Sequence, residues 1–526
     1  MQRSLTRRWI VGGLLVFGLA VVAALTRPPA TAAQVEVQGG VVTNCGNDTQ
    51  LRTAVATGGS VTFACPVTQT TIFLSGPITV TLPTTVDGGG VIALDGNFSS
   101  RIFNVVGGAL TLQNITLQNG RSGFEWGGAI TVGATSSLTA VNTRFIGNIS
   151  GIQSGGRGGA IYSSGGLISA TASVFQSNSA EGDGGGAIYA LGQIDLLNTD
   201  FITNTGFTVD ITPPSGAAIF AEGPVRIQGG TLRGNTLGSI GNGGALFALQ
   251  KVTVQNTTFL LNSAGNGGAV YLAGGSLDAT NTNFISNQAG FSSVDAGGAI
   301  FSNAQPVTIT GGLFQGNSTG GSGGAFYSSG LTLFKSTQFT GNSAGFNGGG
   351  AYLVDPLRVS SGQRVVITDT VFQLNTGGVG GGLYLDAGAD LQYTRFISNT
   401  AGSGGGAYIP SGAGQIALAR TLFISNTASA SGGGLFVSSA VTATLQDSIL
   451  DANTTAGGAG GGLYNAGVAL VNRSAVIYLR AGGGGGLYND FSGYLTVHNT
   501  TVSNNDGQSS GAGGLHNAGL AVVSNT

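Results

Sequence analysis

Charge is scarce in this chain. Of 526 residues, 8% are Asp, Glu, Lys or Arg, and Lys251 and Lys335 are the only lysines. At a formal net charge of −2 there is no cationic stripe to meet the phosphates of a nucleic acid, so that class of partner is excluded. Two cysteines and two histidines are too few to build a zinc site. No apolar stretch of the long C-terminal region shows the period of a helix. Glycine, by contrast, is abundant at 97 residues, and 41% of the chain is hydrophobic. Such a composition would suggest disorder were it not strictly periodic; with a period it describes a packed solenoid whose surface is Ser, Thr, Asn and Gly.

Two phrases alternate along the chain. The first is Gly-Gly-(Ala/Gly)-aliphatic-aromatic, as in Gly158-Gly159-Ala160-Ile161-Tyr162. Its aromatic slot holds Thr131, Tyr162, Tyr189, Phe220, Phe247, Tyr271, Phe301, Tyr327, Tyr352, Tyr384, Tyr408, Phe436, Tyr464, Tyr488 and His516, fifteen copies spaced 24 to 32 residues apart. The second is Phe-x-x-Asn: Phe145/Asn148, Phe175/Asn178, Phe201/Asn204, Phe259/Asn262, Phe284/Asn287, Phe314/Asn317, Phe339/Asn342, Phe372/Asn375, Phe396/Asn399 and Phe423/Asn426. Weaker copies place Leu232, Leu450 or Val502 before Asn235, Asn453 and Asn505, and Tyr478 with Ala481 reads as a degenerate one. The path from the aromatic slot to the Phe slot is nearly constant in length, whereas the return path varies.

A fixed period of this size is a repeat architecture. Val252 to Phe259 and Leu331 to Phe339 alternate apolar and polar residues, which predicts half-buried strands. Units this short bury their apolar face only by stacking on one another. Three strand-sized pieces per unit fit one coil of an all-β, single-stranded parallel β-helix, and the period is too short for propeller blades. About eighteen coils are expected, with each Phe on the next Phe inside. Each Asn stacks on an Asn at a turn, where side-chain amides bond along the axis.

The two phrases together resemble the repeat of the chlamydial polymorphic outer membrane proteins over roughly residues 120 to 526. That resemblance implies a right-handed parallel β-helix of the pectin-lyase-like kind, surface display, and adhesion more than catalysis.

Three segments precede the regular repeats, which begin near residue 121. Residues 1–33 read as a secretory signal: Arg3, Arg7 and Arg8, an apolar run from Trp9 to Leu25, then small residues around Ala30 and Ala32. An uncleaved membrane anchor is the alternative. Residues 34–70 read as an N-terminal cap, with a helix from Thr49 to Ala56 that Asp48 caps and whose buried face is Leu51, Ala54 and Val55. Cys45 and Cys65 flank that helix and, in an exported chain, are expected to be bonded. Residues 71–526 form the β-helix, irregular at first: Asp87 to Gly90 and Leu94 to Gly96 read as strand ends with turns. The chain stops within a coil, leaving an open edge or a continuation, and shows no membrane barrel to anchor it.

Glycoside hydrolysis needs two close carboxylates. No repeat slot carries an acid on two consecutive coils; Asp195, Asp278 and Asp390 share one slot, and Asp369 and Asp447 another, coils apart. The best acidic group is Glu181, Asp183 and Asp210, a weak Ca²⁺ candidate that reads more simply as solvated loop carboxylates. His498 and His516 occupy different slots. The aromatic slot reads as an interior or corner stack, the alternative being an exposed ladder on which glycans stack. Loops on a rigid scaffold carry binding: Ile149 to Arg157, Thr205 to Ser215, Gln288 to Ala296, the insert Asp355 to Arg364, and Arg121 to Trp126 with Glu125 and an exposed Trp126. No cofactor and no catalytic residue are assigned. The expectation is an exported, non-catalytic, adhesin-like protein at the cell surface, the outer membrane or outside the cell, with glycans or a neighbouring cell surface as partner. It meets a membrane only through its signal segment or an anchor. A polysaccharide lyase or glycoside hydrolase is the alternative.

Overall fold

Val252 and Val254 are buried while the alternate residues Thr253 and Gln255 face outward, and the same alternation recurs in the strands that follow. The computed structural model describes residues 39–526 apart from 66–68, 152–154, 208–213, 239, 304–305, 355–363 and 509–510. The expected signal segment, Asp210 and all of the 355–364 insert but Arg364 therefore lie outside the described residues.

One coil runs through strands Ile161–Ser163, Leu167–Thr171, Val174–Gln176 and Ser179–Glu181. Each pairs in parallel, without slippage, with its equivalent one coil on: Ile188–Ala190, Ile194–Leu197, Asp200–Ile202 and Thr205–Phe207. The chain is a parallel β-solenoid. Among the described residues nine coils hold four strands rather than three, because the residues directly after the Asn add a short strand of their own, whereas at Thr236, Ser263 and Gln288 they form only single bridges. The variable loops therefore begin later than the spacing suggested. In the sheet that carries the aromatic slot, 17 strands stack from Ile78–Val80 to Leu515–Asn517. That makes about 16 turns against the eighteen expected.

The cap helix spans Thr49–Thr57 and buries Leu51, Ala54 and Val55 against the first strands. Asp48 stands at its N-terminal boundary without capping it. Its carboxylate instead pairs with Arg52 at 2.7 Å and accepts from the Ser75 amide at 2.8 Å. Cys45 and Cys65 are joined by a disulfide with Cα atoms 5.9 Å apart. The Asp87 to Gly96 region is one strand, Thr84–Asp95, whose register shifts between Asp87 and Ile92. Gly88 to Gly90 form that bulge rather than a turn.

The Phe column is the middle of the core. Phe145, Phe175 and Phe201 are fully buried and stacked, and from Phe259 to Phe423 the column continues as unbroken ring pairs. The Asn column beside it is also fully buried. Asn178 shows the pattern. Its Oδ1 accepts from the Asn148 backbone N–H at 3.0 Å and from Asn148 Nδ2 at 2.9 Å. Its Nδ2 donates to Asn204 Oδ1 and to the Phe145 carbonyl, each at 3.0 Å. All four bonding positions of the amide are filled.

Asn262, Asn375, Asn399 and Asn426 repeat that pattern, and they add main-chain bonds to the expected stacking of amide on amide. The Oδ1 of each accepts the backbone N–H of the preceding Asn at 3.0 Å, from Asn235, Asn342, Asn375 and Asn399 in turn. Their Nδ2 groups donate to the carbonyls of Leu232, Phe339, Phe372 and Phe396 at 2.8 to 2.9 Å. Neighbouring amides fill only two of the four bonding positions, and burial requires the main chain to fill the rest. The column therefore ties backbone to backbone between coils. It runs from Asn148 to Asn453, where it is interrupted. Leu450 pairs with Val476, so the degenerate unit is Val476 with Leu479, not Tyr478 with Ala481. Leu479 is buried in the Asn position and has no amide to offer Asn453.

A second buried column escaped the sequence reading. Two residues before most Phe slots stands a hydroxyl, including Thr143, Ser173, Thr199, Thr257, Thr282 and Thr337, with Gly230 and Gly312 in that position before Leu232 and Phe314. Ser173 Oγ accepts from the Thr143 amide at 3.1 Å and donates to the Thr171 carbonyl at 2.9 Å. The corner before it is a left-handed residue, as at Asn142 and Asn198. The glycine pair marks the other tight corner. Gly158 has φ +65°, and a Cβ on Gly159 would lie 2.0 Å from the Gly186 carbonyl oxygen.

Candidate functional site

The aromatic slot faces outward. In each of its strands the residues on either side of the ring, such as Ile219 and Ala221 around Phe220, point into the core. The ring must then point to solvent. The expected interior or corner stack is thus an external stripe. From Phe220 onward its rings are half-buried because they cover one another, while Tyr162 and Tyr189 are buried; from Tyr189 to His516 the centroids are between 4.3 and 5.6 Å apart and the planes within 19° of parallel. Since ring faces are occupied by neighbouring rings, the stripe presents edges and hydroxyls. Burial raises the pKa of Tyr271 and Tyr327, so these hydroxyls stay neutral.

The same column begins with polar residues. Asn104 and Thr131 stand in register below Tyr162 and Tyr189. Where two rings are missing, the stripe opens into a cavity of about 410 Å³ lined by Arg101, Asn104, Phe124, Trp126, Thr131 and Tyr162, among others. Trp126 closes the column: its ring lies 4.7 Å from that of Tyr162, and its Nε1 donates to the Gly155 carbonyl at 2.8 Å. Behind it the Arg157 guanidinium lies 4.9 Å from the Trp126 ring and 5.0 Å from that of Tyr189. Phe124, 81% exposed, stands at the rim.

The floor is charged. Arg101 is buried, and its Nε donates to the Gly127 carbonyl at 3.0 Å, Nη2 to the Trp126 carbonyl at 2.8 Å, and Nη1 to Asn104 Oδ1 at 3.3 Å. Nη2 also pairs with Glu125 at 2.7 Å. Thr131 Oγ1 donates to Asn104 Oδ1. Beyond Glu125 a second cavity, of about 270 Å³, is lined by Ser99, Ser100, Arg121 and Ser122 together with Arg101 and Glu125.

The other candidates are placed as follows. Asp183 is held by Arg157, at 2.8 Å from Nε and 2.6 Å from Nη2. Glu181 lies on the strand Ser179–Glu181, and Asp210 is outside the described residues, so the trio is not seen assembled. Among the described residues no group of three His, Cys, Asp or Glu side chains could hold a metal ion. Asp195, Asp278 and Asp390 do share a column, but Asp195 faces Arg226, and Asp278 and Asp390 pair with Lys251 and Arg364, each at 2.9 Å. Asp447 pairs with Arg473 at 2.7 Å. His498 bonds Ser524 through Nδ1 at 2.8 Å, while His516 ends the observed ring column. In the loop Gln288 to Ala296, Phe291 and Val294 are both 82% exposed. Trp126 and Glu125 were singled out from the sequence; Arg101, Asn104, Arg121 and Arg157 were not. The one visible signal was Thr131, a small polar residue in a slot otherwise held by rings.

Fold and site together define a parallel β-solenoid with an aromatic-walled cavity at the head of an external ring column. Residues 172–191 match the model of the Chlamydia polymorphic membrane protein repeat. They span the Phe175 and Asn178 phrase and the Gly-Gly-Ala-Ile-Tyr phrase that ends at Tyr189. No curated protein and no solved structure matches the chain. The solenoid and the repeat fit a surface or outer-membrane repeat protein. No helix among the described residues is long and apolar enough to cross a membrane.

Proposed function

We propose that the chain is an exported, surface-displayed solenoid that binds saccharides without turning them over. The observation that carries this reading is the cavity where Asn104 and Thr131 replace rings. Saccharides present apolar C–H faces beside hydroxyls, and they suit a cavity with aromatic walls and a few convergent polar groups. The self-covered stripe below offers no such platform, so binding belongs to the head of the column and not along its length. The repeat match supports surface placement, since it falls in a family named for membrane proteins. No carboxylate named above faces another on an adjacent coil, which is why binding is favoured over hydrolysis.

The test is a glycan array probed with the full chain and two variants. Trp126→Ala is expected to abolish binding, and Tyr327→Ala, mid-stripe, to leave it intact, with both variants still folded under the assay conditions. Binding lost in Tyr327→Ala but kept in Trp126→Ala would place the site elsewhere. The absence of any bound glycan, or turnover of one, would refute the reading.

A further inference from the structure

Arg101 and Glu125 form an asymmetric ion pair. The arginine side chain is 6% exposed and the glutamate 72%. A buried guanidinium cannot be left without a counter-charge at small cost, because the uncompensated ion stays desolvated. An exposed carboxylate loses little when it returns to water. Arg101 is moreover fixed from behind by the carbonyls of Gly127 and Trp126. The cation is therefore permanent and its counter-ion exchangeable. Arg121 lines the second cavity together with Arg101 and Glu125, and its Nε is buried with no hydrogen-bond partner. A buried, unmet donor on a cation is a standing demand for an acceptor.

We infer that the head cavity takes an acidic saccharide, a sugar ring bearing a carboxylate, whose negative group displaces Glu125 from Arg101 and is shared with Arg121. This rests on the saccharide reading above and specifies its ligand class. The ring would occupy the space beside Trp126 that Asn104 and Thr131 leave open. Its carboxylate would lie where the two cavities meet, since both are lined by Arg101 and Glu125. Two cations against one acidic residue leave the empty site with a surplus positive charge. A neutral sugar cannot replace the charge of Glu125, so it must bind with the native pair still closed.

The experiment uses the full chain and a panel of uronic acid oligosaccharides, each paired with its methyl ester, which keeps the ring and removes the charge. Calorimetry is expected to show each bound acid about tenfold tighter than its ester, with the advantage shrinking as salt rises. Arg121→Gln should erase that advantage while leaving the ester unaffected. Glu125→Gln should tighten the acid several-fold, because the competing carboxylate is gone, and should not tighten the ester. Equal binding of acid and ester, or an advantage unmoved by both variants, overturns this inference while leaving saccharide binding in place. Binding of neither member of any pair overturns both. Melting curves for each variant separate a lost site from a lost fold.

Discussion

Two columns of rings run along this solenoid, one inside and one outside, and their stacking geometry is nearly the same. Inner neighbours lie 4.5 to 5.1 Å apart and outer ones from Tyr189 onward 4.3 to 5.6 Å. The coil spacing imposes that distance on both. They differ in what surrounds them. The inner column is Phe with aliphatic substitutes, and its rings are out of contact with water. The outer column is mostly Tyr, whose hydroxyl needs a partner when buried and finds solvent here. Tyr189 supplements that by donating to Glu222 at 3.0 Å. Stacking alone is thus not a sign of function: it follows from the repeat. The informative place is where the outer column fails, at Asn104 and Thr131.

The sharpest way to test the contrast is to delete one ring from each column in adjacent coils. Phe314→Ala leaves a cavity in a core that cannot collapse, because its neighbours are fixed by ladders on both sides; a loss of about 3–5 kcal/mol is expected. Tyr327→Ala removes stacking but opens no cavity, and a loss of about 1 kcal/mol is expected. Urea midpoints of the two variants decide it. Equal losses would mean the outer stack is as structural as the core.

Much of this was legible, and the failures have physical causes. The Phe and Asn phrases translate directly into buried columns, since a period of fixed length permits only one register. The backbone half of the amide bonding at Asn262, Asn375, Asn399 and Asn426 was not legible, because carbonyls and N–H groups leave no mark in a sequence. The outward aim of the rings was legible: Val270 and Leu272, or Leu435 and Val437, bracket a ring with two core residues, and alternate positions on a strand share a face. Their aliphatic character drew the ring inward in the reading, when it should have excluded it. The hydroxyl column was hidden because Thr and Ser crowd this sequence, and burial distinguishes Thr199 or Thr257 from the rest only in three dimensions. Arg101 was unreadable because its partners are main-chain carbonyls a coil away. The fourth strand was missed because two to four residues carry no period.

A medium effect is expected in the amide column, where an intact stretch can be set against a broken one. Asn317 joins Asn287 and Asn342 and donates to the Phe284 carbonyl at 2.9 Å. Asn317→Ala unpairs all of them and should lower stability by about 1–3 kcal/mol. The reverse change, Leu479→Asn, would close the gap between Asn453 and Asn505. The backbone N–H of Leu479 already donates to Asn505 Oδ1 at 3.0 Å, so the slot has the right geometry. Restored amide bonds would be offset by the lost burial of a leucine, and a net change within about 1 kcal/mol is expected. A loss as large as that of Asn317→Ala would show that the amide ladder contributes little to this coil.

The smallest effect concerns charge. Burial, the leading cause, together with the nearby Asp490 carboxylate pushes the Tyr464 hydroxyl up to about 12. The folded pKa lies above that of the unfolded chain, near 10. The folded state therefore holds its proton where the unfolded state has lost it, and stability falls as pH rises between the two values. The contribution is complete below pH 10 and gone above the folded pKa. The inner column has no such group and is indifferent to alkali. Urea midpoints compared at neutral and alkaline pH should fall for the native chain and fall less for Tyr464→Phe. Because Tyr464 is partly solvated, screening keeps the difference small. An equal fall in both proteins would show that its hydroxyl ionises as freely in the fold as in the open chain, and that the outer column is wetter than its stacking implies.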